Sequence, residues 1–374
     1  MHTGRAHPLL REKSVNAFDA LRVIAALAVL YSHSFPLYGL DEPMPIAGKA
    51  LGSLAVALFF SISGFLICQS WERDPHIGRY AARRALRIFP GLWVVVLLTA
   101  FMVGPLFTTV SHSEYFLSGS PWQYLASASF AIGSPKLLGV FESNPFPLST
   151  NGSLWTLKYE IIMYALLALT GYVLGRTRLK AKCTAIFLAF ALAWVLMSLG
   201  GHVKVAVPFV WRLGTELYLD RLAYLGAFFF AGACAHFHFD RIHLSRRYAL
   251  ALLGLLFFIE NPTVVMVVLW FAMPYFMLVF AYRAPAIFRK VNGFDYSYGI
   301  YIYAFPIQQI VSQLGMRAGW SWEAVLLVST LVTLAAAALS WHLVEKPGLA
   351  LKDRISLRRK TVEPDDPGLG VPGR

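Results

Sequence analysis

Arg22 and His33 are ionisable residues that lie in the first strongly apolar segment of the chain. An arginine costs roughly 2.5–3.5 kcal/mol to insert into a membrane helix, so such a residue is a functional candidate by default. Eleven positions turn a helix through about three turns, which puts both side chains on one face about 16 Å apart. The spacing predicts a stripe with a basic group at one end and an imidazole at the other. The structural alternative is that Arg22 snorkels to the headgroups and His33 caps the helix end.

A cluster of arginines precedes the third apolar segment, in the sequence Arg83-Arg84-Ala-Leu-Arg87. Arg84 and Arg87 are three positions apart and share a helix face, a geometry suited to a phosphate group or another polyanion. The alternative is that the cluster only orients the helix in the membrane, because cytoplasmic loops are rich in basic residues.

One carboxylate, Glu160, falls more than a turn inside the fourth apolar segment. An uncompensated carboxylate is unfavourable there and needs a partner. His33, near the same end of the first segment, is an available one. The alternative is a structural ion pair between Glu160 and another helix.

A group of metal-binding residue types occurs later in the chain, at His236, His238, Asp240 and His243. His236 and His238 are two positions apart and face different sides of a helix, and the segment is a positively charged loop. No metal site is predicted.

The composition identifies an integral membrane protein. Apolar residues make up 57% and charged residues 14% of the 374 residues, against roughly 45–50% and about 25% in soluble domains. The net charge of +13 does not indicate nucleic acid, because the basic residues fall in short clusters between apolar runs, as they do in multispanning membrane proteins.

The apolar segments predict an all-α fold, a polytopic bundle of about ten transmembrane helices. A shorter segment at 248–259 would cross only where the membrane thins around it. The others approach the spanning length and lie at about 18–36, 51–70, 87–107, 154–174, 183–200, 217–236, 263–282, 297–314 and 323–344. With ten helices most of the 33 Lys and Arg residues fall on the side of the termini, which predicts that both termini are cytoplasmic.

Three features qualify this bundle. Pro274 and Pro306 lie inside spans and predict kinks, which are tolerated where polar groups satisfy the freed carbonyls. The external stretch 108–153 is rich in aromatic residues and is expected to be a lid or binding loop. The membrane domain is expected to occupy residues 1–350, followed at 351–374 by a short basic and then Pro/Gly-rich cytoplasmic tail, predicted to be disordered.

Six motifs in order resemble acyltransferase family 3, the integral-membrane acyltransferases that modify polysaccharides and other extracytoplasmic acceptors. The resemblance runs from about residue 16 to 350. One departure is Ala304, where many relatives have histidine. The motifs are Phe18-Asp-Ala-Leu-Arg22 with His33, Phe59-Phe60-Ser-Ile-Ser-Gly64-Phe65-Leu66, Arg83-Arg84-Ala-Leu-Arg87-Ile-Phe-Pro90, Gly152-Ser-Leu-Trp155-Thr-Leu-Lys-Tyr-Glu160, Ser297-Tyr298-Gly-Ile-Tyr301-Ile-Tyr-Ala-Phe-Pro306 and Trp341-His-Leu-Val-Glu345-Lys346-Pro347.

The resemblance implies an enzyme of the plasma (inner) membrane with no permanently bound cofactor. Acyl-CoA, most simply acetyl-CoA, would be the cytoplasmic co-substrate. Arg84 and Arg87, together with Arg22, would hold its phosphates. Its long arm would thread between the helices toward His33.

The resemblance also implies the chemistry at the far end. His33 would accept the proton of an acceptor hydroxyl, and Glu160 would orient the imidazole or contact the acceptor. Trp155 and Ser153 would shape the substrate site. The acceptor would be an extracytoplasmic carbohydrate or glycolipid; both direct transfer and an acyl-enzyme are compatible with the sequence.

Two other function classes fit the same segments. In a transporter or flippase, the same charges would line a translocation path, activity would not need acyl-CoA, and His33→Gln would be tolerated. A structural partner in a polysaccharide assembly complex would tolerate substitution of both His33 and Glu160.

Overall fold

The computed structural model describes residues 16–46, 48–129, 135–147, 149–175, 178–200, 206–210, 215–289, 293 and 295–357. These residues form helices and one short antiparallel hairpin. The helices are α1 (Phe18–Tyr38), α2 (Leu51–Arg73), α3 (Ile77–Leu98), α4 (Gly104–Phe107), α5 (His112–Leu117), α6 (Ser120–Ala128), α7 (Leu157–Leu174), α8 (Leu179–Leu199), α9 (Leu219–Phe237), α10 (Arg246–Leu256), α11 (Pro262–Arg283), α12 (Ala286–Arg289), α13 (Ser297–Arg317), α14 (Trp322–Ser340) and α15 (Lys346–Leu357). The hairpin pairs β1 (Ala206–Val210) with β2 (Thr215–Tyr218).

Shorter helical turns join several of these helices. A π-helical turn at Thr99–Val103 connects α3 to α4, and another at Trp341–Glu345 connects α14 to α15. A 3₁₀ turn at Gly152–Thr156 leads into α7, and a second at Phe239–Arg241 follows α9.

The predicted all-helical membrane fold is confirmed. Within the described residues, six helical segments are long and apolar enough to cross a membrane, namely Phe18–Tyr38, Leu51–Arg73, Ile77–Phe107, Leu179–Leu199, Pro262–Arg283 and Trp322–Leu351. Large apolar side chains on the outside of the bundle, such as Phe271 and Leu339, are more than 60% exposed, as lipid-facing residues should be.

Helices also occupy the other predicted spans. Helices α7, α9 and α13 contain 18, 19 and 21 residues, and α10 contains 11. The total of about ten spans and the location of the termini therefore stay predictions. The Pro/Gly-rich end of the tail lies outside the described residues, while α15 continues the helical structure to Leu357.

The stretch 108–153 differs from the expected open loop, because α5 and α6 lie within it. Tyr115, Tyr124 and Phe141 from this stretch are at most 1% exposed. Their rings therefore pack in the protein core and do not form a binding surface. Phe146, another aromatic residue of the stretch, lines a cavity described below.

Helices α2 and α9 pack with their backbones in direct contact. A Cβ atom added to Gly64 would lie 1.8 Å from the carbonyl oxygen of Phe229, and one added to Gly232 would lie 2.0 Å from that of Ser61. Small residues allow such close approach between membrane helices.

Gly64→Ala is expected to lower the free energy of unfolding by about 2–3 kcal/mol, because the new methyl group meets backbone rather than a movable side chain. Gly254→Ala in α10 is the control, since no heavy atom lies within 4 Å of the added Cβ. That change should be neutral or slightly stabilising in a helix. Thermal unfolding in lipid nanodiscs measures both, and equal midpoints would contradict the packing described.

The proline in α13 is accommodated as the sequence predicts. Pro306 has no N–H group to donate to the carbonyl of Ile302. The side-chain amide of Asn151 donates to that carbonyl instead, at 2.9 Å. The residue before the 3₁₀ turn thereby fastens this turn to the middle of α13.

Candidate functional site

Arg22 and Arg87 are held by one carboxylate, Asp295, which lies just before α13. The Oδ2 atom of Asp295 is 3.0 Å from Nη1 of Arg22 and 2.5 Å from Nη2 of Arg87. Its Oδ1 atom accepts hydrogen bonds from the backbone N–H and the hydroxyl of Ser297. Glu345 lies 3.7 Å from Arg87 on the other side. One buried network therefore joins α1, α3 and α13 to the turn between α14 and α15.

Within this network, the positive charges of Arg22 and Arg87 are opposed by the negative charges of Asp295 and Glu345. Burial alone would raise the pKa of Asp295, but Arg87 and Arg22 outweigh burial and hold that pKa below its ordinary value. Two of the three predicted phosphate-binding arginines, Arg22 and Arg87, consequently have protein carboxylates as partners. The sequence analysis assigned no role to Asp295 or Glu345, although each is a carboxylate beside or within an apolar segment.

Asp295→Asn is expected to destabilise the protein by roughly 3 kcal/mol, because it leaves two buried arginines with reduced compensation. Since the folded-state pKa of Asp295 is depressed, its contribution is present above the unfolded pKa of about 3.9 and is lost as pH falls through the folded value. The variant should therefore show a weaker loss of stability with acidification. Asp240→Asn, at an exposed position, is the control; equal midpoints for the two variants at neutral pH would refute the role assigned to Asp295.

Arg84 has different surroundings from its two neighbours in the motif. Among the described residues no carboxylate forms an ion pair with it, and its Nε atom is buried without a hydrogen-bond partner. Its guanidinium lies 6.0 Å from the centre of the Tyr164 ring. Of the three predicted phosphate ligands, Arg84 is the one whose charge is available to a ligand.

A cavity of about 570 Å³, here called the arginine cavity, contains this group. Two carboxylates, Asp74 and Glu160, also line it. Asp74 is engaged by Arg79 at 2.5 Å and by Arg83 at 2.6 Å, so the cavity as a whole is strongly positive and suits a polyanion. Five arginines line the cavity, namely Arg22, Arg73, Arg83, Arg84 and Arg87.

Glu160 belongs to the arginine cavity and not to the surroundings of His33. It accepts hydrogen bonds from the hydroxyl groups of Ser63, at 3.4 Å, and of Tyr164. Among the described residues, the hydrogen bonds of Glu160 therefore do not come from His33, which the sequence had offered as a partner. The rotation of one helix relative to another decides this pairing, and spacing along the chain does not contain it.

His33 lines a second cavity of about 880 Å³, here called the histidine cavity. Its Nδ1 atom is buried without a hydrogen-bond partner among the described residues. Its ring packs edge-on against Phe305, with 5.3 Å between centroids. Arg22 and His33, at the two ends of the predicted stripe, thus lie in two different cavities.

Trp155 lines the histidine cavity together with two cations, Lys49 and Arg221. The guanidinium of Arg221 lies between the rings of Trp155 and Tyr218, 4.7 and 4.8 Å from their centroids. Oδ1 of Asp220 is buried in the same cavity without a partner among the described residues. Aromatic faces and unsatisfied polar atoms together can bind a sugar-like molecule.

Residues that line one cavity lie next to residues that line the other, and this boundary is here called the partition. Thr156 lines the arginine cavity while the preceding residue, Trp155, lines the histidine cavity. One turn apart on α13, Tyr301 lines the first cavity and Phe305 the second. The hydroxyl groups of Thr156 and Tyr301 are 2.7 Å apart and buried. This hydroxyl pair and the Phe305 ring form the partition between the two cavities.

Ser153, predicted to shape the substrate site, is fully buried. It lines neither of the two cavities, and its hydroxyl has no hydrogen-bond partner among the described residues. Its backbone N–H donates to the side chain of Asn151. A role for Ser153 toward substrate stays a prediction.

Comparison with known proteins gives one family and two relatives. The family described as an acyltransferase domain matches residues 15–344. An O-acetyl transferase of Shigella phage Sf6 is 32% identical over 339 residues, 88% of this chain and 95% of the relative. Nodulation protein 10 of Rhizobium leguminosarum bv. viciae is 25% identical over 368 residues, 93% of this chain and 96% of the relative. No solved structure matches.

Proposed function

Because the chain belongs to acyltransferase family 3, we propose that it transfers an acyl group from cytoplasmic acyl-CoA to a hydroxyl of an extracytoplasmic glycan. The observation that carries this proposal is the pair of cavities at the two ends of one helix stripe. One cavity is rich in arginine, and the other contains an unpartnered histidine. The phage relative is named an O-acetyl transferase, which favours acetyl as the acyl group.

The arginine cavity is the proposed donor site. CoA carries several phosphate groups, and Arg84, with no carboxylate partner among the described residues, would bind one of them by charge-assisted hydrogen bonds. Arg22 and Arg87 contribute mainly through the Asp295 network that fixes the cavity wall. The co-substrate is bound only for the reaction, and the chemistry assigned here uses no other cofactor.

The histidine cavity is the proposed acceptor site. His33 accepts the proton of the acceptor hydroxyl, whose oxygen attacks the carbonyl carbon of the thioester. The new C–O bond forms as the C–S bond breaks, and the CoA sulfur leaves as a thiolate that takes up the proton. Trp155 and the polar groups around Arg221 would orient the sugar ring.

The donor must cross the partition for this reaction to occur. The pantetheine arm of CoA is long and thin, and the stripe of about 16 Å between Arg22 and His33 is of the same order as its length. The path between the cavities passes the hydroxyl pair of Thr156 and Tyr301. Separation of this pair would admit the thioester to the histidine cavity.

The proposed membrane topology assigns the two cavities to opposite sides of the membrane. About ten spans with both termini in the cytoplasm place most basic residues inside, and the arginine cavity then opens to the cytoplasm of a cell with this protein in its plasma (inner) membrane. The histidine cavity opens to the other side, where a carbohydrate or glycolipid acceptor would enter.

A sidedness experiment tests the proposal. Purified protein is reconstituted in liposomes, and radiolabelled acetyl-CoA is enclosed inside or added outside, with a panel of glycans on the opposite side. Transfer of label to a glycan, with release of free CoA, supports the proposal. Movement of a glycan without any use of acetyl-CoA, and with His33→Gln fully active, would support the transporter or flippase instead.

A further inference from the structure

Glu160 is a carboxylate that the proposed chemistry at His33 does not use. It lines the arginine cavity, while His33 lies beyond the partition. Its hydrogen bonds within the described residues come from the hydroxyl groups of Ser63 and Tyr164. An ionised carboxylate has about four acceptor positions. Glu160 therefore retains capacity for a hydrogen-bond donor on a ligand.

The position of Glu160 along the cavity shows which part of a donor would meet it. The ring of Tyr164 lies beneath the guanidinium of Arg84, and its hydroxyl donates to Glu160. Thr156, part of the partition and the last residue of the 3₁₀ turn before α7, is four positions before Glu160 and lines the same cavity. A ligand running from Arg84 to the partition would thus pass Glu160 between its phosphates and its thioester.

The surroundings of Glu160 select the chemistry of that middle part. Val56, Phe59, Phe60 and Leu66 line the same cavity, so a polar group that enters loses water and needs a protein partner. A carboxylate accepts hydrogen bonds from N–H groups and repels anions. The phosphates are therefore kept at the arginines, and a neutral N–H group is favoured beside Glu160.

We infer that Glu160 accepts a hydrogen bond from an amide N–H of the pantetheine arm. This inference rests on the proposed function. It gives Glu160 a contact with the donor, whereas the family resemblance implied a contact with His33 or with the acceptor. The ligand class is an acyl thioester whose arm carries secondary amides between an anionic end and the sulfur. Glu160 is accordingly a donor-binding residue and does not orient His33.

The experiment measures CoA binding directly, with the full chain in lipid nanodiscs and no acceptor present. Glu160→Gln keeps the size of the side chain but removes its charge, and it is expected to weaken CoA binding about tenfold, as loss of a charge-assisted hydrogen bond would. Glu323→Gln is the matched control, because Glu323 is an exposed carboxylate that lines neither cavity. Its affinity for CoA should equal that of the wild type.

A CoA analogue isolates the amide. In this probe an ester oxygen replaces the amide N–H nearest the sulfur, and a second probe carries the replacement at the other amide. One of the two should bind equally well to wild type and to Glu160→Gln, and about tenfold more weakly than CoA to the wild type. This comparison on the wild type also decides the matter if Glu160→Gln does not fold.

The outcomes separate the inference from the proposed function. Unchanged CoA affinity in Glu160→Gln together with a lower kcat would overturn the inference and place Glu160 in the chemical step, with the proposed function intact. Equal affinity of the wild type for CoA and both analogues would also overturn the inference. Failure of the wild type to bind any CoA would overturn the proposed function, and this inference with it.

Discussion

Replacing His33 with alanine is expected to lower kcat for acetyl transfer by about 10³-fold, within the range for loss of a general base. His33 lines the histidine cavity, and its Nδ1 atom is buried without a partner among the described residues. No second histidine among those residues lines that cavity. Transfer to a glycan acceptor in nanodiscs, followed as release of free CoA, measures the loss.

The affinity for CoA separates catalysis from folding in this variant. CoA bound in the arginine cavity should keep its affinity for His33→Ala, because the substituted residue lies beyond the partition. His33→Gln should be as inactive as the alanine variant, since an amide side chain cannot accept the proton at neutral pH. Full transfer activity in either variant would show that another group acts as the base.

Replacing Arg84 with alanine is expected to raise the KM for acyl-CoA about 100-fold with a smaller change in kcat. Arg84 is the motif arginine without a described carboxylate partner, so its charge is free to bind phosphate. The loss should diminish at high salt, because salt weakens the wild-type attraction between the guanidinium and the phosphate. Steady-state kinetics at two ionic strengths measure both effects.

Two variants serve as controls for Arg84. Arg84→Lys keeps the charge but loses the planar fork of donors, so its KM should lie between those of wild type and alanine. Arg79→Ala removes a nearby arginine on α3 that pairs with Asp74 and does not line the cavity. A greater rise in KM for Arg79→Ala than for Arg84→Ala would mean that the donor binds elsewhere.

Single residues show how far the sequence could predict the site. Helical spacing places Arg22 and His33 on one stripe, and the structure puts them in two cavities at its two ends. Spacing alone does not give the rotation of α7, so it offered His33 as a partner of Glu160, whereas the described hydrogen bonds of Glu160 come from Ser63 and Tyr164. The partition depends on contacts between segments far apart in the chain, such as Thr156 with Tyr301, and no local pattern predicts it.

The arginine motif shows the same limit in another form. The spacing of Arg84 and Arg87 predicts a shared helix face, and both line the arginine cavity. Their different electrostatic surroundings come from Asp295, more than 200 residues away from Arg87 in the chain. Motif position identified the candidates, but only tertiary structure distinguishes the compensated arginine from the free one.

The fold was easier to predict than the site, because the lipid environment strongly constrains the backbone structure of a segment that crosses it. Apolar segments near 20 residues must form helices to satisfy their backbone groups, and helices lie at each of the predicted positions. The stretch 108–153 escaped this constraint. Its aromatic residues suggested a binding surface, whereas Tyr115 and Tyr124 are core residues, since composition does not distinguish a ring that packs inside from one that faces a ligand.

The partition has a consequence for the energetics of the cell. In the proposed topology the arginine cavity opens to one face of the membrane and the histidine cavity to the other, so Thr156, Tyr301 and Phe305 stand between the two aqueous sides. In that topology the transmembrane potential, about 2.3 kcal/mol per charge for each 100 mV, would fall mainly across these residues. When these residues are in contact, protons and small ions would not leak through the protein, and the membrane potential would be kept while the substrates are absent.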